Sequence, residues 1–308
     1  MNLQQLEYVL ALAKHKQFVL AAQSCGVTQP TLSTMIQKLE RELDVEIFDR
    51  TKHPLEPTPL GTKIIDQAER TIIELQKIKE LVLYETDSLT GELHLGVIPT
   101  IASYLIPRLI EAAKPKLDGV TLSISELNTD NLITALHKDK VDMFIAATPL
   151  NIPDFYEIPL YYEHFVAYFS PEHPKRDTPL SALTLPGENL WVLEEGHCLR
   201  DQIFNFCANS ISTNQIFEAG SIDTLIRIVD KNGGYTVIPE LHVEHLSPLQ
   251  RNNVRKISNP PAVREVSLVI RKNFVKERIM NVIVESVKES IPTEMLDERL
   301  KKFTVRLR

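Results

Sequence analysis

Cysteine is scarce in this chain: there are three in 308 residues. So few rule out the disulfide framework of a small secreted domain. No Cys-x-x-Cys occurs, and His197 beside Cys198 is a poor ligand set, so neither a metal nor a cofactor is expected. Long apolar runs are missing as well. The richest stretch, Leu93 to Ala113, is broken by His94, Pro99, Pro107, Arg108 and Glu111, which excludes a bilayer span and predicts no membrane partner. Met1-Asn2-Leu3-Gln4-Gln5-Leu6-Glu7 lacks the basic start and apolar centre of a signal peptide, so a cytoplasmic location is expected. Basic residues are in deficit. A net charge of −7 weighs against nucleic acid as a partner unless local detail overrides it.

What remains is ordinary for a globular protein. Hydrophobic residues make up 43% and charged residues 24% of a length that suits two or three domains.

In residues 1–60, Leu3, Leu6, Val9, Leu10 and Ala13 recur at helical spacing and predict a first helix. Phe18 to Ser24 predicts a short second one. Cys25-Gly26-Val27 reads as a tight turn, with Gly26 free to take positive φ and Cys25 a small buried apolar residue. Thr28 is a good N-cap and Pro30 falls in the first turn of a third helix. Leu32, Met35, Ile36, Leu39 and Leu43 form its predicted buried stripe. Gln29, Thr31, Ser33, Thr34, Gln37 and Lys38 lie on the outward face. Two short helices joined by a glycine turn are a helix-turn-helix signature, and a polar, amide-rich outward face suits base edges in a major groove. Val45 to Thr58, with Arg50, Lys52 and His53, reads as a two-stranded wing able to touch phosphate. A generic three-helix bundle with a solvated polar face fits the same pattern, and six basic against seven acidic residues here do not separate the two.

A resemblance does. Met1-Asn2-Leu3-Gln4-Gln5-Leu6-Glu7-Tyr8, Ala21-Ala22, Thr28-Gln29-Pro30-Thr31-Leu32-Ser33 and Lys38-Leu39-Glu40 resemble the winged helix of LysR-type transcriptional regulators. The resemblance implies that Gln29, Pro30, Thr31, Ser33, Thr34 and Lys38 approach double-stranded DNA, with Arg50, Lys52 and the wing on its backbone.

Thr58-Pro59-Leu60-Gly61-Thr62 opens a long helix. Ile65, Ala68, Ile72, Leu75, Lys79 and Val82 step along it by four and three, a seam with one charged break that predicts pairing with a second copy. Ser88-Leu89-Thr90-Gly91 reads as a hinge. Beyond it, strand and helix signals alternate. Strands are expected at 92–98, 120–126, 141–147, 164–170, 190–194, 215–219, 235–238 and 265–270. Helices are expected at 100–113, 130–138, 198–208, 221–232 and 275–290. Such alternation implies mainly parallel sheets with ligands at the carboxyl ends of strands. The fold class is therefore a mostly α winged helix-turn-helix (1–60), a linker and dimerisation helix with a hinge (61–91), and an α/β effector domain (92–308). A late return to the first sheet splits that domain into lobe one, about 92–162 plus 266–308, and lobe two, about 163–265. By resemblance it is a periplasmic-binding-like LysR effector domain. Thr100 and Thr129 open helices at two of the strand ends, where a hydroxyl serves as N-cap or as ligand donor.

Two of the three cysteines lie in Gly196-His197-Cys198-Leu199-Arg200-Asp201-Gln202-Ile203-Phe204-Asn205-Phe206-Cys207. Helical positions nine apart are about 13.5 Å apart along the axis, whereas a disulfide needs Cα atoms within about 4.4–6.8 Å. The thiols join only if the helix opens. Cys198 falls in the first turn, where the helix dipole, His197 and Arg200 favour a thiolate. A sulfenic acid there is resolved by a second thiol, and Cys207 is the only one nearby. Two inert helical cysteines satisfy the same spacing.

Gly196 to Asp201 with Phe206-Cys207, together with Leu95-Gly96-Val97-Ile98-Pro99-Thr100, Ser221-Ile222-Asp223-Thr224-Leu225 and Gly233-Gly234-Tyr235, resemble the peroxide-sensing members of the LysR family. The resemblance implies that Cys198 is oxidised first and Cys207 resolves it. It places Thr100, Thr129, His197, Arg200, Asp201 and Arg271 around hydrogen peroxide. It further implies a homodimer or homotetramer that activates oxidative-stress genes with RNA polymerase and is reset by a reducing thiol system, without being an enzyme. Gln4, Val19 and Leu20 stand where basic residues are expected. The rival readings are a LysR-type regulator with a small organic effector in the interlobe cleft, a thiol peroxidase and a periplasmic solute receptor.

Overall fold

The computed structural model describes residues 1–85, 89–174, 176, 178–181, 185, 189–193, 199, 202–203, 218–258 and 260–305. It divides into two compact units, Met1–Asp87 and Ser88–Arg308.

In the first unit, α1 (Leu3–His15) starts at a capping box. The Asn2 and Gln5 side chains each accept from the other's backbone N–H at 2.9 Å. α2 (Phe18–Ser24) ends at a turn in which Gly26 holds φ +64°, and α3 (Gln29–Leu43) follows with Thr28 as N-cap and Pro30 in its first turn. Leu6, Val9, Leu12, Leu32, Ile36 and Leu39 close the core. Met35 is only half-buried, Leu43 is exposed because it lies in the last turn beyond that core, and Cys25 is half-buried. The wing is β1 (Phe48–Asp49) antiparallel to β2 (Glu56–Pro57). The long helix α4 (Pro59–Glu85) packs on α1. Ala68 is buried there, and Ile64, Ile65 and Ile72 are partly buried. The first half of the apolar seam is therefore covered within its own chain, while Ile78 is 58% exposed. Lys79 and Val82 lie on α4, and the hinge residue Ser88 lies outside the described residues.

In the second unit, β3 (Gly91–Val97), α5 (Pro99–Ala113), β4 (Val120–Glu126), α6 (Thr129–His137) and β5 (Met143–Thr148) form a parallel series, with β3 between β4 and β5. The next strand, β6 (Phe155–Phe169), runs unbroken for 15 residues. Pro159 and the charged Glu157 disguised its first half in the sequence. Beyond it come β7 (Val192–Leu193) parallel to β8 (Glu218–Ala219), α7 (Ile222–Asn232), β9 (Tyr235–Pro239), a 3-10 turn Glu240–His245, α8 (Pro248–Arg251) and β10 (Val254–Lys256). β11 (Val263–Arg271) then returns to the first series, and α9 (Glu277–Ser290) covers it.

The strand order β10-β6-β11-β5-β3-β4, with β9 also on β6, makes one mixed sheet of seven strands. The expectation of mainly parallel pairing fails at its centre. β11 is antiparallel to both β5 and β6, and β6 is antiparallel to β9 and β10, because the chain crosses between two cores on long strands instead of helical crossovers. One core runs from Leu93 to Tyr161 and from Val266 to Met295, with Leu241 added; the other gathers Phe165 to Ala262. Of the expected helix 198–208, only Leu199, Gln202 and Ile203 are described, and all three are helical and buried. Of the expected strand 215–219, Glu218 and Ala219 are described.

Candidate functional site

β6 and β11 pass from one core to the other side by side, and in their register Arg264 is the direct partner of Glu163. Both side chains are fully buried. Ionised groups that deep persist only when paired and hydrogen-bonded. Glu163 Oε2 accepts from Arg264 Nη2 at 2.7 Å and Nε at 2.9 Å, and from the Tyr104 hydroxyl at 2.9 Å. Its Oε1 accepts from the backbone N–H of Leu241 at 2.9 Å. Arg264 Nη2 also donates to Tyr104 Oη and to the Thr100 carbonyl, each at 3.1 Å. Arg264 Nη1 donates to Thr100 Oγ1 at 3.1 Å. The Tyr161 hydroxyl sits 2.9 Å from that of Tyr104. Burial, then the charge on Glu163, pushes both phenols well above the ordinary tyrosine range, so they stay protonated and donate. Burial alone would lower the Arg264 pKa, but Glu163 holds it above the usual guanidinium value.

Thr100 lies at the carboxyl end of β3. The N-cap of α5 is Ile98, which makes no side-chain capping bond, so the Thr100 hydroxyl is not a cap. It is buried and accepts from Arg264 instead. Thr129 is likewise buried one position inside α6, whose cap is Asn128 accepting from Asn131 N–H at 3.0 Å.

Beside Thr100 is a cavity of about 240 Å³, lined also by Ser103, Glu126, Ser221, Asp223 and His242. His242 is 2% exposed and neither ring nitrogen makes a hydrogen bond. Its Nε2 lies 3.6 Å from Asp223 Oδ1. Burial pushes the imidazole pKa down and Asp223 only partly opposes this, so His242 is neutral. Leu193, five positions before Cys198, lines the same cavity.

The structure brings Thr100 to this cavity but not Arg271. That arginine stands at the far end of β11, opposite Phe155, and donates to Asp139 at 2.8 Å. It lies seven strand positions from Arg264, about 23 Å of extended chain. Arg264 is the arginine that reaches Thr100. Cys198, Cys207, His197, Arg200 and Asp201 lie outside the described residues. Arg264, Glu163 and Tyr104 escaped the sequence reading. The available signal was charge inside two largely apolar strands, Glu163 in Tyr161-Tyr162-Glu163-His164-Phe165 and Arg264-Glu265 in Ala262-Val263-Arg264-Glu265-Val266. Among the described residues no group of three His, Cys, Asp or Glu side chains is placed to hold a metal, and no helix is long and apolar enough to cross a membrane.

In the first unit, Gln29, Pro30, Thr31, Thr34 and Lys38 are exposed on α3, and Ser33 is half-buried. Glu40, near the end of α3, pins the wing. It accepts from Ile47 N–H at 2.9 Å, Phe48 N–H at 3.3 Å and Arg50 Nη2 at 2.8 Å. Arg50 also lies 5.9 Å over the Phe18 ring. Lys52 pairs with Glu56 across the wing at 2.5 Å. Val19 and Leu20 are 57% and 43% exposed on α2.

Comparison with known proteins agrees over both units. Residues 3–62 match the bacterial regulatory helix-turn-helix protein, lysR family, and residues 86–292 match the LysR substrate binding domain. The hydrogen peroxide-inducible genes activator of Haemophilus influenzae is 34% identical over 94% of this chain and 98% of its own length. The DNA-binding transcriptional dual regulator OxyR of Escherichia coli is 36% identical over 79% of this chain and 80% of its own. A solved full-length OxyR variant from Pseudomonas aeruginosa superimposes with a TM-score of 0.72 at 33% identity, covering 94% of this chain and 95% of that one.

Proposed function

The chain belongs to the LysR family of bacterial helix-turn-helix regulators, and from that premise we propose a transcription activator that senses hydrogen peroxide through Cys198 and Cys207. The observation that carries this reading is the small polar cavity at the end of β3, with the Thr100 hydroxyl fixed by Arg264 and Leu193 leading directly into the cysteine segment. Ligand sites for ordinary organic effectors span roughly 300–1,000 Å³. At about 240 Å³ this cavity falls below that range and admits a small polar molecule such as hydrogen peroxide.

The chemistry balances with peroxide as the oxidant. The Cys198 thiolate attacks one peroxide oxygen, the S–O bond forms, and the O–O bond breaks. The departing hydroxide takes up the proton that the Cys198 thiol released on ionising and leaves as water. The Cys207 thiol then displaces water from the sulfenic acid, giving the disulfide. Two electrons have passed from two sulfurs to one peroxide, and a cellular dithiol returns them. Thr129, His197, Arg200 and Asp201 complete the pocket in this reading, and Arg264 takes the place first assigned to Arg271.

Refolding around 197–210 changes how copies of the chain assemble, and so the spacing at which two α3 helices meet double-stranded DNA. Ile106, Ile110, Leu117, Val120, Leu122 and Ile124 line an open apolar groove between α5 and the edge strand β4. An exposed apolar edge of this kind invites a second copy, which supports a homodimer or homotetramer. The protein acts in the cytoplasm with RNA polymerase and turns over no substrate.

Mass mapping of peroxide-treated protein tests the sensor. A Cys198–Cys207 linkage is expected, together with altered protease cleavage near 197–210 and a changed footprint on operator DNA. Absence of that linkage refutes it. A small organic effector in the cleft is the second reading. Calorimetry with metabolites, set against thiol titration with peroxide, separates the two.

A further inference from the structure

The geometry points to Glu163 as a positioning residue for the peroxide reaction: it clamps Arg264 so that Arg264 fixes the Thr100 hydroxyl as a donor toward the cavity. This deepens the proposed function and rests on it. The argument begins with hydrogen-bond inventory. A threonine hydroxyl has one proton and two lone pairs. Arg264 Nη1 donates to Thr100 Oγ1 at 3.1 Å, and a guanidinium never accepts, so the hydroxyl proton is turned elsewhere. Thr100 lines the cavity, and an O–H aimed there meets the oxygen that carries negative charge as the O–O bond breaks.

Nothing on Arg264 alone selects that orientation. Its fork is set by the carboxylate opposite, which binds Nε and Nη2 and leaves Nη1 for Thr100. Glu163 also fixes a second wall. Its other oxygen holds the N–H of Leu241, the residue before His242, and His242 lines the same cavity. One carboxylate at the junction of the two cores thus orients groups on opposite sides of the site. A well-packed apolar pair in place of a buried ion pair is often as stable or more so. Stability alone therefore does not account for an ion pair here, whereas orientation does.

In the step concerned, the Cys198 sulfur supplies the electron pair, the S–O bond forms and the O–O bond breaks. Thr100 donates a hydrogen bond to the leaving hydroxide, which takes up the proton that the Cys198 thiol released to solvent on ionising. Alkylation of the same thiolate by iodoacetamide has no departing oxygen and needs no such donor.

The test is the second-order rate of Cys198 oxidation by hydrogen peroxide beside its rate of alkylation by iodoacetamide, both read by mass mapping on the full chain. For Glu163→Gln the peroxide rate should fall by about ten- to a hundred-fold, the range expected when a transition-state donor is misplaced. The alkylation rate should stay at that of the parent. The double variant E163M/R264M, which keeps the site apolar and packed, should fold and show the same selective loss. A peroxide rate unchanged in either variant, or peroxide and alkylation rates falling together, overturns the inference. A parent protein that forms no Cys198–Cys207 linkage with peroxide defeats the proposed function itself.

Discussion

Gly61→Ala should detach the wing from α4 and abolish tight DNA binding while leaving peroxide chemistry intact. A Cβ built on Gly61 falls 1.9 Å from the Ile47 carbonyl oxygen and 2.8 Å from its carbon. Both are backbone atoms, so no rotamer change relieves the clash, and the Ile47 peptide must retreat by roughly an ångström. That peptide is tied down. Its oxygen accepts from Thr58 N–H at 2.9 Å. The Thr58 hydroxyl donates to Glu46 O at 2.7 Å while accepting from Gly61 N–H at 2.9 Å. Overpacking of this kind costs about 1–3 kcal/mol, and one lost backbone hydrogen bond adds about 1 kcal/mol. Alanine's better helix propensity returns at most about 1 kcal/mol. The balance is destabilising by about 1–3 kcal/mol, a fall in melting temperature of about 10 °C for a unit of this size. Ile47 runs directly into β1 and then Arg50, so the displaced segment is the one that carries the wing's cation. Fluorescence anisotropy on operator DNA at fixed salt and calorimetry of the full chain measure the two effects. Mass mapping should still find peroxide-driven Cys198–Cys207. A variant with parental affinity and melting temperature would refute the steric argument.

Other perturbations have equally definite signs. Cys198→Ser should remove the transcriptional response to peroxide and leave DNA affinity unchanged; a response that persists sinks the thiol mechanism. Lys38→Ala should weaken binding across all DNA sequences and reduce the slope of log K against log salt by about one, as expected for one lost phosphate contact. His242 has its pKa held below the ordinary 6.5 by burial, with Asp223 opposing and His245 and Arg264 reinforcing the shift. The stability this confers is present above about pH 6.5 and is lost as pH falls through the depressed value in the folded state. His242→Asn should therefore flatten the decline in stability of residues 88–308 on acidification, measured by urea unfolding from pH 7 to pH 5; an unchanged slope would contradict it.

The parts of the fold legible in the sequence are those where local chemistry and tertiary packing agree. Thr28 before Gln29-Pro30 marks the start of α3 because a hydroxyl cap and a proline in the first turn have no better use. The parallel series β3, β4 and β5 follows from apolar strands punctuated by Pro99 and Asn128. The half-buried Ile65 and Ile72 show the opposite case. A seam at alternating three- and four-residue steps states that a stripe must be covered but not by what, and here α1 covers its first half.

The site divides along the same line. That Thr100 lines a cavity accords with its place just after a strand end, where parallel sheets bind ligands. The Arg264–Glu163 pair was not legible, since it depends on two strands 101 residues apart meeting in one register. Arg271, seven positions along the same strand, carries the same charge but is partly exposed and pairs with Asp139, whereas Arg264 is fully buried. Which of the two arginines meets Thr100 is set by which end of β11 faces the carboxyl end of β3. That follows from β11 running antiparallel to β5, while β5 runs parallel to β3. Strand direction thus decides which cation meets Thr100, and direction is a property of the assembled sheet that no window of sequence contains.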